Sequence, residues 1–288
     1  ADLVIFVGTR AGGMTTHFWT IPAKGTSTIQ IDIDPLVNGR NYPTDVSIVG
    51  DARVTLEKMN ELNIPVPKER VEWLKQVKAI CTSYKIDFKE VYESDAYPIR
   101  PERIVNELSN GMPKNAVIVV DTGHSGMWMG GMFEKRHEDQ SYIRSAGHLG
   151  WAFPAALGAK CGAPHRPVVC FMGDLGFWYH MAEVETAVRA GINTITIINN
   201  NNSGNMAKGS ISAIYDDQPT KESQDIWVQN KINFAKIAEN MGAVGIRVEK
   251  ANEIAPAFQK ALKLDKPVVI DIATDIEIVA PKAWEPKA

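Results

Sequence analysis

Two stretches of the sequence place oxygen-bearing side chains directly after apolar runs. The first, residues 172–176 (Met-Gly-Asp-Leu-Gly), follows the apolar residues 168–171, and the second begins with four consecutive asparagines at 199–202. Magnesium prefers hard oxygen ligands and is commonly bound through one carboxylate plus phosphate oxygens of its ligand. Asp174 would supply the carboxylate, an asparagine amide oxygen a second ligand and a loop carbonyl a third. The two stretches together therefore predict a site for magnesium and a phosphate compound.

The residues around Asp174 also suit an anion. The glycines on either side would let main-chain N–H groups approach a phosphate at the start of a helix predicted near Phe177, where the helix dipole favours negative charge. Taken alone, Gly-Asp after a strand is an ordinary turn and helix cap, and a polar asparagine run is usually a solvated loop. The pair favours a ligand site, because the asparagines close an otherwise apolar strand one βαβ unit later.

A regular alternation of helices and strands must position these residues. From Arg100 onward the pattern predicts strands at 116–121, 167–172, 194–199, 243–248 and 267–272, separated by helices at 101–110, 151–161, 177–190, 231–241 and 252–263. Strands separated by helices indicate a parallel sheet that is covered on both faces. Ligands of such sheets bind outside the carboxyl ends of strands, at a topological switch point. The polar stretches are predicted at such ends.

The first part of the chain has a similar pattern. Strands are predicted at 3–7, 28–33 and 46–49, and helices at 52–62, where Asp51 can act as the cap, and at 68–80. Residues 81–99 are polar and lack a sustained period. The sequence therefore predicts an α/β fold with two doubly wound parallel-sheet domains: residues 1–85, a linker at 86–99, residues 100–276, and a tail at 277–288.

The composition excludes several classes of protein. An apolar fraction of 44% with 23% charged residues is typical of a soluble globular chain. The 34 acidic and 31 basic residues are interspersed and give a net charge of −3, which favours neither nucleic acid nor a membrane surface. Three cysteines without metal or redox spacing fit a reducing, cytoplasmic setting. The start lacks an initiating Met and reads as a buried strand, so we expect a fragment or the later part of a longer polypeptide.

The Gly-Asp and Asn-Asn stretches resemble the signature of the thiamine-diphosphate-dependent enzymes, which include acetohydroxyacid synthase, pyruvate oxidase, benzoylformate decarboxylase and oxalyl-CoA decarboxylase. Alignment through Glu183 implies that the metal ligands are Asp174, Asn201 and the main-chain carbonyl of Ser203. Leu175 stands where the family usually has glycine. The resemblance also implies that the cofactor contacts the rest of these loops, namely Gly173, Leu175, Gly176 and Met206.

Two further segments match the same family in order. Residues 119–128 resemble its Asp-x-Gly segment, which implies cofactor contacts from Gly123 and from His124, a position where many members carry glutamine. Residues 144–150 resemble the segment that holds the aminopyrimidine, which implies that Leu149 is the apolar wedge under the bent cofactor and Gly147 the carbonyl donor. His124 and His148 are candidate acids or bases near the reacting carbon, with a purely structural role as the alternative.

The upstream segments 31–35, 41–43 and 49–52 resemble the central domain of the acetohydroxyacid synthase group. The resemblance thus implies the carboxyl-terminal part of a central Rossmann-like domain followed by a thiamine-diphosphate-binding domain. It also implies that the amino-terminal pyrimidine-binding domain, whose Glu activates the cofactor, is missing from this chain. Since family sites lie between subunits, we expect a homodimer or homotetramer.

The expected function is an acetolactate-synthase-like transferase or lyase that uses thiamine diphosphate and Mg²⁺ to make or break a carbon–carbon bond next to a carbonyl. One alternative is a decarboxylase or lyase of 2-oxo acids or acyl-CoA esters, since residues 181–186 are similar to those of oxalyl-CoA decarboxylase. An alternative of another class is a flavin- or nucleotide-binding module without carboligase activity. FAD is a possible second cofactor because Arg10 matches a family arginine, although residues 12–16 differ. We expect residues 206–230 to help shape the substrate pocket.

Overall fold

Strands of four to six residues form two parallel sheets in the computed structural model, which describes residues 1–145 and 147–281. The chain divides into two compact units, Ala1–Val77 and Lys78–Ala288. In the first unit, strands β1 (Leu3–Val7), β2 (Ser27–Asp32) and β3 (Val46–Val49) pair in chain order. Helix α1 (Ala52–Glu61) follows, and the Asp51 carboxylate caps it by accepting a hydrogen bond from the Val54 N–H at 3.0 Å.

The second unit is built on a six-stranded parallel sheet with the order β5-β4-β6-β7-β9-β8. Its strands are β4 (Val117–Val120), β5 (Ser141–Arg144), β6 (Val168–Gly173), β7 (Ile195–Asn200), β8 (Val244–Val248) and β9 (Val268–Ala273). The order reverses twice along the chain, once between β4 and β6 and once between β7 and β9. These parallel sheets with flanking helices confirm the predicted α/β class.

Helices cover both faces of the six-stranded sheet. Helices α4 (Pro101–Gly111), α5 (Gly123–Met132) and α12 (Ile254–Ala261) bury side chains in the core on one face, and α6 (Ala152–Gly162), α7 (Asp174–His180), α8 (Glu183–Ala190) and α11 (Phe234–Asn240) in the core on the other. The chain also contains α2 (Lys68–Asp87), α3 (Lys89–Tyr92), α9 (Lys208–Ile214) and α10 (Lys221–Asp225). Alternate residues of β6 enter different cores: Val169 and Phe171 pack on one face, Cys170 and Met172 on the other. Both faces of β6 are therefore buried, which explains why its residues 168–172 are all apolar.

Helix occupies the first part of the segment that the sequence analysis assigned to a linker. Helix α2 runs to Asp87 and α3 covers Lys89–Tyr92, because Tyr84, Phe88 and Tyr92 recur every four residues and pack against the core of the second unit. The sequence analysis missed this helix because charged residues lie between the three aromatic residues. The predicted domain boundaries stay a prediction, and residues 282–288 of the predicted tail lie outside the described residues.

Several other elements differ from the expectations, including helices α9 and α10, which lie in a stretch for which no helix was predicted. The helix predicted at 177–190 is two helices, α7 and α8, with a break at residues 181–182. Helix α5 and edge strand β5 were not predicted at all. Helix α5 contains four glycines, which lower its intrinsic helix propensity, and it is held by the burial of Trp128, Met129 and Met132 instead. Within the described residues, no helix has the length and apolarity to cross a lipid bilayer.

Candidate cofactor site

A pocket of about 180 Å³ opens at the first reversal of strand order, where the carboxyl ends of β4, β6 and β7 meet. This is the place where parallel sheets of this kind bind ligands. The pocket is lined by residues from the loops after these three strands, from α5 and from one turn: Thr122, Gly123, His124, Ser125, Trp128, Leu149, Gly173, Asp174, Leu175, Gly176, Asn199, Asn201, Ser203, Gly204, Asn205, Met206 and Ala207. Every predicted cofactor and metal residue except Gly147 is among them.

Asp174 begins helix α7 and is almost completely buried, with 2% of its surface exposed. Its carboxylate accepts hydrogen bonds from the N–H groups of Leu175 at 2.7 Å and of Ser203 at 3.1 Å. Burial raises the pKa of Asp174 to about 6 against these hydrogen bonds, and the nearby Asp271 adds to the increase. No lysine, arginine or histidine of the described residues forms an ion pair with it. A buried carboxylate of this kind is a ready ligand for a cation.

Ser203 joins the two other predicted metal residues. Its N–H donates to Asp174, and its hydroxyl donates to the Asn201 amide oxygen at 2.9 Å. Asn199 and Asn201 line the pocket, whereas Asn200 between them is directed elsewhere because successive side chains of a strand point to opposite faces. The structure thus brings Asp174, Asn201 and Ser203 together, as the sequence analysis predicted.

The donor set of the pocket fits a magnesium diphosphate. Carboxylate, amide and carbonyl oxygens are the ligands that Mg²⁺ prefers, usually together with water and phosphate oxygens. Among the described residues, no group of three His, Cys, Asp or Glu side chains could hold a metal, so a metal here must use amide and main-chain oxygens. Four buried polar atoms of lining residues also lack a hydrogen-bond partner: His124 Nδ1, Trp128 Nε1, Asn199 Oδ1 and Asn205 Oδ1. Buried polar groups without partners are costly, which is consistent with a polar ligand.

Asp121 fastens the turn that carries Leu149 to the end of strand β4. Its fully buried carboxylate accepts hydrogen bonds from the N–H groups of Gly150 at 2.9 Å and Ala152 at 3.4 Å. Burial raises the pKa of Asp121, and these hydrogen bonds oppose the increase. A methyl group at Gly176 would overlap Asp121 Oδ2, so the amino end of α7 packs directly against the same carboxylate. Asp121 therefore fixes two walls of the pocket relative to each other.

Comparisons with known proteins match both parts of the chain. The family model described as "Thiamine pyrophosphate enzyme, C-terminal TPP binding domain" matches residues 121–272, which is more than half of the 288 residues. The chain belongs to the thiamine pyrophosphate enzymes. The model of the central domain of the same enzymes matches residues 1–59. Thiamine pyrophosphate is another name for thiamine diphosphate, so the predicted cofactor class and family are confirmed.

Several relatives of this thiamine pyrophosphate enzyme are acetolactate synthases by name. The chain is 31% identical to the "Probable acetolactate synthase large subunit" of Methanococcus aeolicus, over 96% of this chain and 47% of the relative. It is 32% identical to the acetolactate synthase large subunit of Corynebacterium glutamicum, over 94% and 44%. For the large subunit of Haemophilus influenzae the identity is 28%, over 96% and 48%. The chain spans about half the length of the curated relatives it matches.

The two candidate histidines of this thiamine pyrophosphate enzyme lie in different surroundings. His124 is half-buried in the pocket, and its ring contacts that of Trp128 edge-on, with the centroids 5.6 Å apart. Burial lowers the pKa of His124, which favours the neutral imidazole at neutral pH. His148 is exposed and is not among the lining residues, and its main-chain oxygen accepts a hydrogen bond from the Ser145 hydroxyl. The acid or base role of either residue stays a prediction.

Sequence reasoning missed several lining residues, among them Thr122, Ser125, Trp128, Asn199 and Asn205. Thr122 and Ser125 lie beside His124 in the segment 119–128, which the sequence analysis assigned to the cofactor site. Predicting a helix over residues 123–132 would have placed them in the pocket as well. Trp128 lies one helical turn after His124, and the same helix would have placed both on one face. Asn205 could not be distinguished as a lining residue because it follows a run of polar residues.

The stability of the cofactor-free enzyme should depend on pH through Asp174. Its folded-state pKa of about 6 lies above its ordinary value of 3.8, so the stabilisation from this group is complete below about pH 4 and is lost as the pH rises through about 6. The loss amounts to about 3 kcal/mol. In urea unfolding, Asp174→Asn should gain stability relative to the wild type as the pH rises from about 4 to 7. A stability difference that does not change with pH would contradict this assignment.

Proposed function

We propose that this chain anchors the magnesium diphosphate of thiamine diphosphate in an acetolactate-synthase-like enzyme, which makes or breaks a carbon–carbon bond next to a carbonyl. The observation that carries the proposal is the buried carboxylate of Asp174 at the switch point of the sheet. Ser203 donates hydrogen bonds both to this carboxylate and to the Asn201 amide oxygen. The names of the relatives support the reaction class. The substrate chemistry is proposed by analogy with these relatives, and we propose a 2-oxo acid as the donor.

The chain's own residues have distinct tasks in this proposal. Asp174, Asn201 and the Ser203 carbonyl would hold Mg²⁺, and the amino end of α7 would favour the negative charge of the diphosphate. Leu149, held in place through Asp121, supports the cofactor from the opposite wall. When bound, thiamine diphosphate supplies a thiazolium carbon that adds to a carbonyl and stabilises the carbanion that follows. The protein's contribution is orientation and exclusion of water.

A complementary pyrimidine-binding domain is part of the proposal. The curated relatives are about twice as long as this chain, and no residue of this chain is assigned the role of the Glu that activates the cofactor. We propose that this Glu comes from another part of the same polypeptide or from a second subunit in a homodimer or homotetramer. The cytoplasmic setting also stays a proposal, supported by three cysteines that are free in the structure.

Calorimetric titration of the 288-residue chain with thiamine diphosphate tests the anchoring role. We expect binding in the presence of Mg²⁺ and at least about 100-fold weaker binding in EDTA, because the diphosphate and Asp174 are both anionic and need the cation between them. Equal affinity in EDTA, or no binding in Mg²⁺, would refute the proposal. The reaction type is then resolved by following carbon dioxide release from 2-oxo acids and acyl-CoA esters in the presence of the complementary domain.

Two alternatives from the sequence remain as predictions with their own readouts. An acyl-CoA decarboxylase would release carbon dioxide from acyl-CoA esters and not from 2-oxo acids in the same assay. A flavin role for the first unit would require space at its glycine-rich turn, where the Trp19 ring lies 3.2 Å from the position of a Cβ on Gly13, whereas no atom lies within 4 Å of such a position on Gly8 or Gly12. The flavin alternative predicts a yellow protein after purification in the presence of FAD.

A further inference from the structure

Asn200 differs from the other asparagines of the run because it is completely buried and does not line the pocket. Its amide nitrogen donates to Asp271 Oδ1 at 2.8 Å and to the Ile232 carbonyl at 3.0 Å. Its amide oxygen accepts the N–H of Asn202 at 3.2 Å. Two acceptors on one side and a donor on the other leave a single orientation of the amide that satisfies all three contacts.

The turn that Asn200 holds is the one that presents the proposed metal ligands. Asn202 has a left-handed backbone conformation with φ of 55°, which a residue other than glycine adopts only where the surroundings fix it. Its side-chain oxygen accepts a hydrogen bond from the Ile232 N–H at 3.0 Å. Asn200 and Asn202 thus clamp the chain on both sides of Asn201.

The amide nitrogen of Asn200 is held by the carboxylate of Asp271, which forms a partly buried ion pair with Arg247. Asp271 lies on β9, the neighbour of β7 at the second reversal of the sheet, and is completely buried. Its second oxygen accepts the N–H of Phe234 at 2.7 Å and lies 2.8 Å from Arg247 Nη1 on β8. Three strands therefore contribute to one connected set of contacts that ends at the turn beside Asp174.

We infer that Asn200 is a positioning residue for the metal site, and that Asp271 on β9, paired with Arg247 on β8, holds it in place. This inference rests on the proposed function, since it assigns Asn200 to the geometry of the same magnesium site. Asn200 does not touch the metal. It fixes the turn from which the Asn201 amide and the Ser203 carbonyl reach it, in the way that hydrogen-bonded partners behind metal ligands orient those ligands.

The alternative is that Asn200 and Asp271 serve stability alone. The two roles differ in what they do to a metal ion that is already bound. A residue that only stabilises the fold changes the melting temperature and leaves the affinity and spectrum of the bound metal unchanged in the folded protein. A positioning residue changes both, because outer-sphere partners of a metal ligand typically contribute a factor of about 10 to 100 in metal affinity.

The test uses Mn²⁺ as the probe in the presence of thiamine diphosphate, because Mn²⁺ also binds to oxygen ligands and has an electron paramagnetic resonance spectrum. In the 288-residue chain, Asn200→Ala should weaken Mn²⁺ affinity about 10- to 100-fold and alter the spectrum of the bound ion. Asn193→Ala is the matched control. Asn193 precedes the other end of β7 and also donates to a carboxylate, Asp265 Oδ1 at 2.6 Å, and its removal should leave both readouts unchanged.

Each outcome bears on a different claim. If Asn200→Ala is folded and binds Mn²⁺ within about twofold of the wild type, the inference is wrong while the proposed function stands. If the wild type itself binds no Mn²⁺ with thiamine diphosphate, the proposed function fails and the inference fails with it. Should Asn200→Ala not fold, Asp271→Asn carries the same test, because it keeps the shape of the side chain and removes one of the acceptors that hold Asn200 and Phe234.

Discussion

Asp174→Asn is expected to abolish the Mg²⁺-dependent binding of thiamine diphosphate. The carboxylate is the only charged group among the three proposed metal ligands, and the diphosphate that shares the metal is itself negative, so the neutral amide leaves the cation poorly compensated. Because partners behind a ligand already contribute a factor of about 10 to 100, the loss of the ligand itself should exceed about 100-fold in affinity. Calorimetric titration in Mg²⁺ measures it directly.

Without the cofactor, the stability of the same variant relative to the wild type should improve as the pH rises. Asp174 is buried with a pKa raised to about 6, so its ionised form destabilises the metal-free protein at neutral pH, and the amide removes that cost. Asp265→Asn is the control for loss of one negative charge, since Asp265 lies in an exposed contact away from the pocket. Mg²⁺-dependent affinity in Asp174→Asn that remains within about tenfold of the wild type would show that the metal is held elsewhere.

Gly176→Ala is expected to have the second largest effect, and it acts through packing. A Cβ at this position would overlap Asp121 Oδ2, and the carboxylate has little room to move because it accepts hydrogen bonds from Gly150 and Ala152. Overpacking and loss of hydrogen bonds to a buried charge together should lower the free energy of unfolding by about 3 kcal/mol. Urea unfolding monitored by circular dichroism measures the change.

Gly158→Ala provides the matched control for this substitution. Gly158 lies inside helix α6 with no atom near the place of a new Cβ, so alanine should raise the free energy of unfolding by about 0.5 to 1 kcal/mol. The prediction is therefore that the same chemical change has opposite signs at the two sites. A Gly176→Ala protein as stable as the wild type would mean that α7 does not pack against Asp121 as described.

The strands that carry the site were predictable because they are buried on both faces. Strands β4, β6 and β7 lie within one residue of their predicted starts, since each is a short apolar run that ends in a polar or glycine residue. Asp174 and Asn201 could be predicted for the same reason, as polar residues at the ends of such runs. Their proximity then follows from the parallel topology alone.

What could not be predicted depends on contacts between elements. Helix α5 is glycine-rich and has no amphipathic period, so the burial of Trp128, Met129 and Met132 in the core accounts for it. The sequence of four consecutive asparagines also does not distinguish the role of Asn200 from that of Asn201. The difference depends on a contact with Asp271, which lies 71 positions further along the chain. Local propensity contains no information on such a contact.

The unequal burial around the pocket has a consequence for motion. Strands β4, β6 and β7 are buried almost throughout, so their amide protons should open to exchange only with large-scale unfolding. Helices α9 and α10, between residues 206 and 230, each bury a single residue, Ile211 and Ser223, and segments with so little buried surface open at low free-energy cost. Helices α9 and α10 and the three strands therefore belong to different cooperative units. For the proposed enzyme we expect residues 206–230 to rearrange while the strands that carry Asp174 and Asn201 stay closed.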